Sequence, residues 1–143
     1  MYFCSPILLV VVNSVNKSFI KKYEIEIGTF YFYKNFVVGE VDSGADLNFE
    51  SGKKLYNLLE IHFKNTIPYV YISNRINSYS FKPTRLYNVD KNFPNLKGYG
   101  IVIYDPTNKT IAQLEETFTD MPTQIFDNLE DAICWAKRIT SSS

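Results

Sequence analysis

The sequence predicts an α/β domain with an α+β-like opening, a mixed β-sheet in the element order βββαβαβαβα. Three observations predict it. From Phe19 to Asp42, short alternating or aromatic bursts are separated by turn residues, the pattern of an antiparallel meander. Two later runs, YVYIS and KGYGIVIYD, are continuously apolar, as strands covered on both faces are. Segments with apolar residues at helical spacing follow each of these strands or lead into them, which sets parallel strands under crossover helices.

The elements follow in order. Residues 1–18 read as an N-terminal extension, an added strand or poorly ordered chain, with a degenerate signal sequence as the lesser alternative, and residues 19–143 as a single domain. The apolar run Ile7 to Val12 has no basic residue before it, since the first is Lys17, and it is too short to cross a bilayer as a helix. In KKYEIEIG, Tyr23, Ile25 and Ile27 share one face and Lys22, Glu24 and Glu26 the other, with Gly28 ending the strand. TFYFY supplies aromatic strand formers, Lys34–Asn35 a tight turn, and FVVGEV the third strand.

Asp42 to Asp46 is a polar loop. Leu55, Leu58, Leu59 and His62 then recur at helical spacing, flanked by Ile61 and Phe63. Asn48 and Ser51 start this helix, without a Glu to complete a capping box, and Gly52 weakens its first turn. Pro68 closes the connection, YVYIS is a central strand, and NRINSYSFKP is a loop. PTRLYNVDKNFPNL predicts a short helix opening on Pro83 and closed by Pro94.

After KGYGIVIYD and a turn at Pro106–Asn108, TIAQLEETF is a helix. Its expected buried face is Ile111, Leu114 and Phe118, with Glu115 and Glu116 turned to solvent. Gln124 to Phe126 is a short strand. Asp127 and Glu130 read as the capping box of a last helix whose buried stripe is Leu129, Ala132, Ile133, Ala136 and Ile139. Lys137 and Arg138 complement its C-terminal dipole, and the serine tail frays.

Composition narrows the function classes. Fifteen Lys and Arg balance fifteen Asp and Glu, and no basic run exists, which argues against binding to nucleic acid. The two cysteines, Cys4 and Cys134, lie at opposite ends, and a single histidine leaves no metal-ligand set. They read as reduced thiols of a cytoplasmic protein, Cys134 as a small buried hydrophobe, with a disulfide joining the two ends as the alternative. Gly98 and Gly100 precede a strand and so cannot open a dinucleotide-binding helix, and there is no Walker motif. No cofactor and no metal are implied.

The meander KYEIEIGTFYFYKNFVVGEVD, the strands YVYISNR and GYGIVIYD, and the ending IFDNLEDAICWAKRI resemble the STAS/SpoIIAA-like family, also described as STAS/SEC14-like. The resemblance spans Phe19 to Ile139. It implies a SpoIIAA-like fold and a non-enzymatic, cytoplasmic, bacterial regulatory module. Such modules bind nucleotides, lipids or partner proteins, and some are phosphorylated on a Ser or Thr after a central strand. The matching loop carries Ser73, Ser78 and Ser80, but SNRINSYSFKP stands where an Asp-Ser-Ser-Gly type of motif would be.

The candidate ligand site is that same loop: Ser73, Asn74, Arg75, Ser78, Tyr79 and Ser80. It follows the carboxyl end of a parallel strand, the usual ligand crevice of an open α/β sheet. Arg75 has the geometry to grip a phosphate or carboxylate, with Ser73 and Asn74 as hydrogen-bond partners. The plainer reading is that Asn and Ser satisfy turn backbone while Arg75 pairs with an acid. Tyr79, Phe81 and Tyr87 read as pocket lining or as core. His62 has no neighbour that nominates it as a general base. The leading expectation is a binding or regulatory module working through protein contacts or a small ligand. Its rivals are a small enzyme built around Ser73 and Arg75, and a structural homodimer formed through the aromatic meander.

Overall fold

A computed structural model describes residues 21–81 and 89–141. The N-terminal extension and the helix start at Pro83 lie outside the described residues, as does Tyr87.

The strands are β1 (Lys21–Ile25), β2 (Gly28–Phe32), β3 (Phe36–Val41), β4 (Asp46–Leu47), β5 (Tyr69–Asn74), β6 (Ser80–Phe81), β7 (Leu96–Val102) and β8 (Thr123–Phe126). The helices are α1 (Lys53–Phe63), α2 (Val89–Asn92), α3 (Pro106–Glu116) and α4 (Leu129–Ser141). Six strands form a mixed sheet in the order β1-β2-β3-β5-β7-β8. The pairs β1–β2 and β2–β3 are antiparallel, and β3, β5, β7 and β8 run parallel. The expected meander is therefore present, followed by parallel strands with helical crossovers. One turn moves: Ile25 pairs with Gly28, so the first hairpin turns at Glu26–Ile27 and Gly28 opens β2. A short parallel pair, β4 with β6, also forms within segments expected to be loop.

Both faces of the sheet are covered, which explains the unbroken apolar runs of β5 and β7. On one face, Val70, Ile72 and Val102 pack beneath Ala132, Ile133, Trp135 and Ala136 of α4. The glycines of KGYG now have a structural reason. A Cβ on Gly98 would lie 3.0 Å from the Trp135 indole, so the bare backbone makes room for the ring. On the opposite face, Leu55, Leu59 and Phe63 of α1 pack with Phe30, Phe32, Val37 and Tyr69. Beside them, Ala112 of α3 packs with Tyr99, Ile101 and Ile103.

Several local expectations change. Asn48 and Ser51 do bond to each other, through Asn48 N to Ser51 Oγ at 2.9 Å and Ser51 N to Asn48 Oδ1 at 3.0 Å. They shape the turn ahead of α1, whose cap is Gly52 without a side-chain bond. Helix α3 starts at Pro106, not after it, because Asp105 caps it by accepting from Asn108 N at 2.8 Å. The capping pair of α4 is Asn128 with Asp131, not Asp127 with Glu130: Asp131 N donates to Asn128 Oδ1 at 2.9 Å. Cys134 is half-buried and disulfide-bonded, not a buried free thiol, and its partner lies outside the described residues.

The largest correction concerns α3. Ala112 and Glu115 are its fully buried residues, while Ile111 and Leu114 are 40% and 51% exposed. The helix is turned about one residue step, ~100°, from the face that hydrophobicity alone selects. Glu115 is drawn inward by a cation beneath it.

Candidate functional site

Alternation along β5 decides what the SNR segment does. Val70, Ile72 and Asn74 point toward α4, so Tyr69, Tyr71, Ser73 and Arg75 point to the α1 and α3 face. The expected trio of Ser73, Asn74 and Arg75 is thereby split. Asn74 donates through Nδ2 to Glu40 Oε2 at 2.9 Å and accepts from the Tyr104 hydroxyl at 2.5 Å, away from the other two.

Arg75 lies at the end of β5, 5% exposed, and its backbone N–H continues the ladder to Val102 O at 3.0 Å. Its guanidinium meets Glu115 in a two-point pair, Nη1 to Oε2 at 2.5 Å and Nη2 to Oε1 at 2.7 Å. Nη2 also donates to the Tyr99 hydroxyl at 2.8 Å, and Nε donates to Ser73 Oγ at 3.0 Å. These contacts occupy four of the five guanidinium N–H groups. Tyr99 in turn donates to Glu115 Oε1 at 3.0 Å, and Ser73 Oγ lies 3.1 Å from the Tyr79 hydroxyl. The Arg75 guanidinium also stands 5.8 Å from the centre of the Tyr79 ring. Burial alone would lower the Arg75 pKa, but Tyr99 and Glu115 reverse this and the pKa is raised. The cation is permanent and is neutralised in place.

Beside this network is a cavity of about 570 Å³ between α1 and the strands β5 and β7. That is the size range of small-molecule sites. Leu55 and Leu59 of α1, with Phe93, Leu96 and Met121, supply apolar walls. Tyr69, Tyr71, Ser73, Tyr79 and Tyr99 supply a hydroxyl-bearing wall. Tyr71 and Tyr99 are register partners on neighbouring strands, with ring centroids 6.1 Å apart. Gly39 on β3 lets the Tyr71 side chain lie flat over the sheet: a Cβ there would be 2.9 Å from its ring carbon Cζ.

Burial raises the pKa of Tyr69, Tyr71 and Tyr99 alike, so all three hydroxyls stay protonated at neutral pH. Among the described residues, the hydroxyls of Tyr69 and Tyr71 have no hydrogen-bond partner.

The remaining candidate residues have smaller roles. Ser78 is exposed, and its backbone carbonyl accepts from Gly44 N at 2.8 Å. Ser80 lies in β6, paired with Asp46. His62 is 3.2 Å from the Tyr33 carbonyl and sits edge-on to Phe32 and Phe63; it makes no contact with Arg75. Among the described residues, no group of three or more His, Cys, Asp and Glu side chains could hold a metal ion. No described helix is long and apolar enough to cross a membrane.

Sequence reasoning missed Glu115, Tyr71 and Tyr99. The signal for the tyrosines is present in YVYIS, where Tyr69 and Tyr71 fall on one face of an otherwise apolar strand. For Glu115 the only hint is Ala112 one turn before it, too small to anchor a helix by itself.

Comparison with protein-family models and with curated protein sequences gives no match. Among solved structures, the chain is similar to an uncharacterised protein of the DUF3478 family with a SpoIIAA-like fold, from Shewanella loihica PV-4. The TM-score is 0.52 at 14% identity, covering 82% of this chain and 91% of that one. The fold is SpoIIAA-like, as the sequence resemblance implies.

Proposed function

We propose that this SpoIIAA-like domain is a non-enzymatic binding module that takes a small ligand into the cavity between α1 and the β5–β7 strands. The observation that carries the reading is the cavity itself, apolar on one side and hydroxyl-bearing on the other, beside an Arg75 already committed to Glu115. Apolar walls with a few fixed polar groups are the usual composition of a small-molecule site.

The rival reading, an enzyme around Ser73 and Arg75, asks more of these residues than they offer. Ser73 Oγ accepts from Arg75 and meets the Tyr79 hydroxyl, and neither a carboxylate nor an imidazole is bonded to it among the described residues. His62 is turned to Tyr33.

A thermal-shift panel of uncharged aromatic ketones and amides, acyl chains, nucleotides and inorganic phosphate tests the proposal. A ligand of the folded state at a hundred times its Kd adds about 2.7 kcal/mol, which raises Tm by several degrees. Mass spectrometry on the same mixtures should return every compound unchanged. Conversion of any one of them would favour the enzyme instead.

A further inference from the structure

The hydrogen bonds around Arg75 have a direction, and that direction identifies a polar group the cavity offers. A guanidinium has donors only, so the Arg75 Nε proton goes to Ser73 Oγ, 3.0 Å away. Ser73 carries one proton of its own on a hydroxyl buried at 3% exposure. Among the described residues, the acceptor within reach of that proton is the Tyr79 hydroxyl, at 3.1 Å. A buried hydroxyl uses an acceptor within reach, because a proton left unpaired is costly. Donation therefore runs from Arg75 through Ser73 to Tyr79, and the permanent cation at its head fixes the direction.

Tyr79 is where this relay ends. Its oxygen accepts from Ser73, and no described residue takes its proton. The Tyr99 hydroxyl differs, because it accepts from Arg75 Nη2 and spends its proton on Glu115 Oε1. Ser73, Tyr79 and Tyr99 all line the cavity. Ser73 reaches it from β5 through a side chain whose polar atom is Oγ, so the Tyr79 hydroxyl bonded to Oγ stands at the cavity wall. Tyr79 is half-buried, and its ring is held beside the Arg75 guanidinium at 5.8 Å.

We infer that the Tyr79 hydroxyl is the donor that orients the ligand, and that the ligand carries an accepting oxygen on an apolar body, a carbonyl being the simplest case. Ser73 is a positioning residue. By donating to Tyr79 it keeps the Tyr79 proton turned away from the network, and a hydroxyl that accepts in such a chain donates more strongly. This inference rests on the cavity being a binding site, and its test separates the two claims.

Two naphthalene probes that differ in the acceptor are compared. Prodan is a ketone whose emission shifts red when its carbonyl accepts a hydrogen bond, and phenylnaphthylamine has no oxygen. Both should bind the parent protein saturably. Tyr79→Phe should weaken prodan about fivefold, the value of one hydrogen bond, and leave phenylnaphthylamine within about twofold. The same variant should shift the emission of bound prodan to the blue. Ser73→Ala removes the relay but not the donor, so its bound prodan should keep the red emission. Each change deletes one hydroxyl, and circular dichroism checks that both variants are folded. The parent protein gives a reading that needs no variant: the infrared carbonyl stretch of bound prodan should lie below that of prodan in dry acetonitrile.

An unshifted stretch would mean that no donor meets the carbonyl. If Tyr79→Phe weakens both probes alike, or neither, the cavity stands and the assigned donor is wrong. If Ser73→Ala tightens prodan and deepens its red shift, Tyr79 spends its proton on Ser73 in the parent protein and the inferred direction is overturned. If neither probe binds, the cavity is not a binding site and the inference falls with it.

Discussion

Forty residues separate Arg75 from Glu115 in the chain, yet their side chains form a two-point ion pair at 4% and 0% exposure. Such a pair is costly to break and not costly to replace. Removing one partner strands a buried charge, at about 3–5 kcal/mol, whereas apolar residues of similar volume at both positions are often tolerated. Glu115→Gln and Arg75→Met should each therefore destabilise by that amount, while the double variant Arg75→Met/Glu115→Leu should be markedly more stable than either. Urea unfolding of the three proteins checks this. Additive losses in the double variant would show that the pair is not a closed unit. This pairing also explains why Arg75, the candidate cation of the SNR segment, is poorly placed to grip an anion: the acid it meets comes from α3, which no local pattern connects to β5.

The helices show where a single sequence informs and where it misleads. Helix α4 was legible, since Ala132, Ile133 and Ala136 fall on one stripe and bury together with Trp135. Its cap was missed by one residue, because Asp127–Glu130 and Asn128–Asp131 offer the same spacing and chemistry. The structure chooses Asn128, whose side chain holds Asp131 N. Asn128→Ala should accordingly cost about 1 kcal/mol in chemical denaturation, and Asp127→Ala close to nothing. Equal losses at the two positions would contradict the assigned cap. Helix α3 failed differently. Its periodicity marks Ile111 and Leu114 as the buried face, but a tertiary ion pair outweighs two partly exposed apolar side chains and turns Glu115 inward.

At the level of the complete domain, the sheet was the most legible feature, since its meander and its two fully apolar strands leave few arrangements. The cavity was not legible, because it is a space between α1 and the sheet, made by residues from five separate stretches of chain. Its buried tyrosines have a global consequence. Tyr69, Tyr71 and Tyr99 all have pKa values raised above the ordinary 10.0, with burial as the largest cause. The unfolded chain loses these protons first, so the stability they carry is complete below about pH 10 and declines as pH rises beyond it. Each such tyrosine contributes a slope of about 1.4 kcal/mol per pH unit, which equilibrium unfolding at a series of alkaline pH values should reveal. A flat profile above pH 10 would mean that these hydroxyls are open to water. The central claim, that the α1–sheet cavity is where this protein binds its ligand, is tested most directly by the thermal-shift panel applied to Met121→Trp, which fills that cavity from one wall. The account predicts a folded variant from which every stabilising response of the parent protein has disappeared; a folded variant that keeps those responses would place the ligand elsewhere.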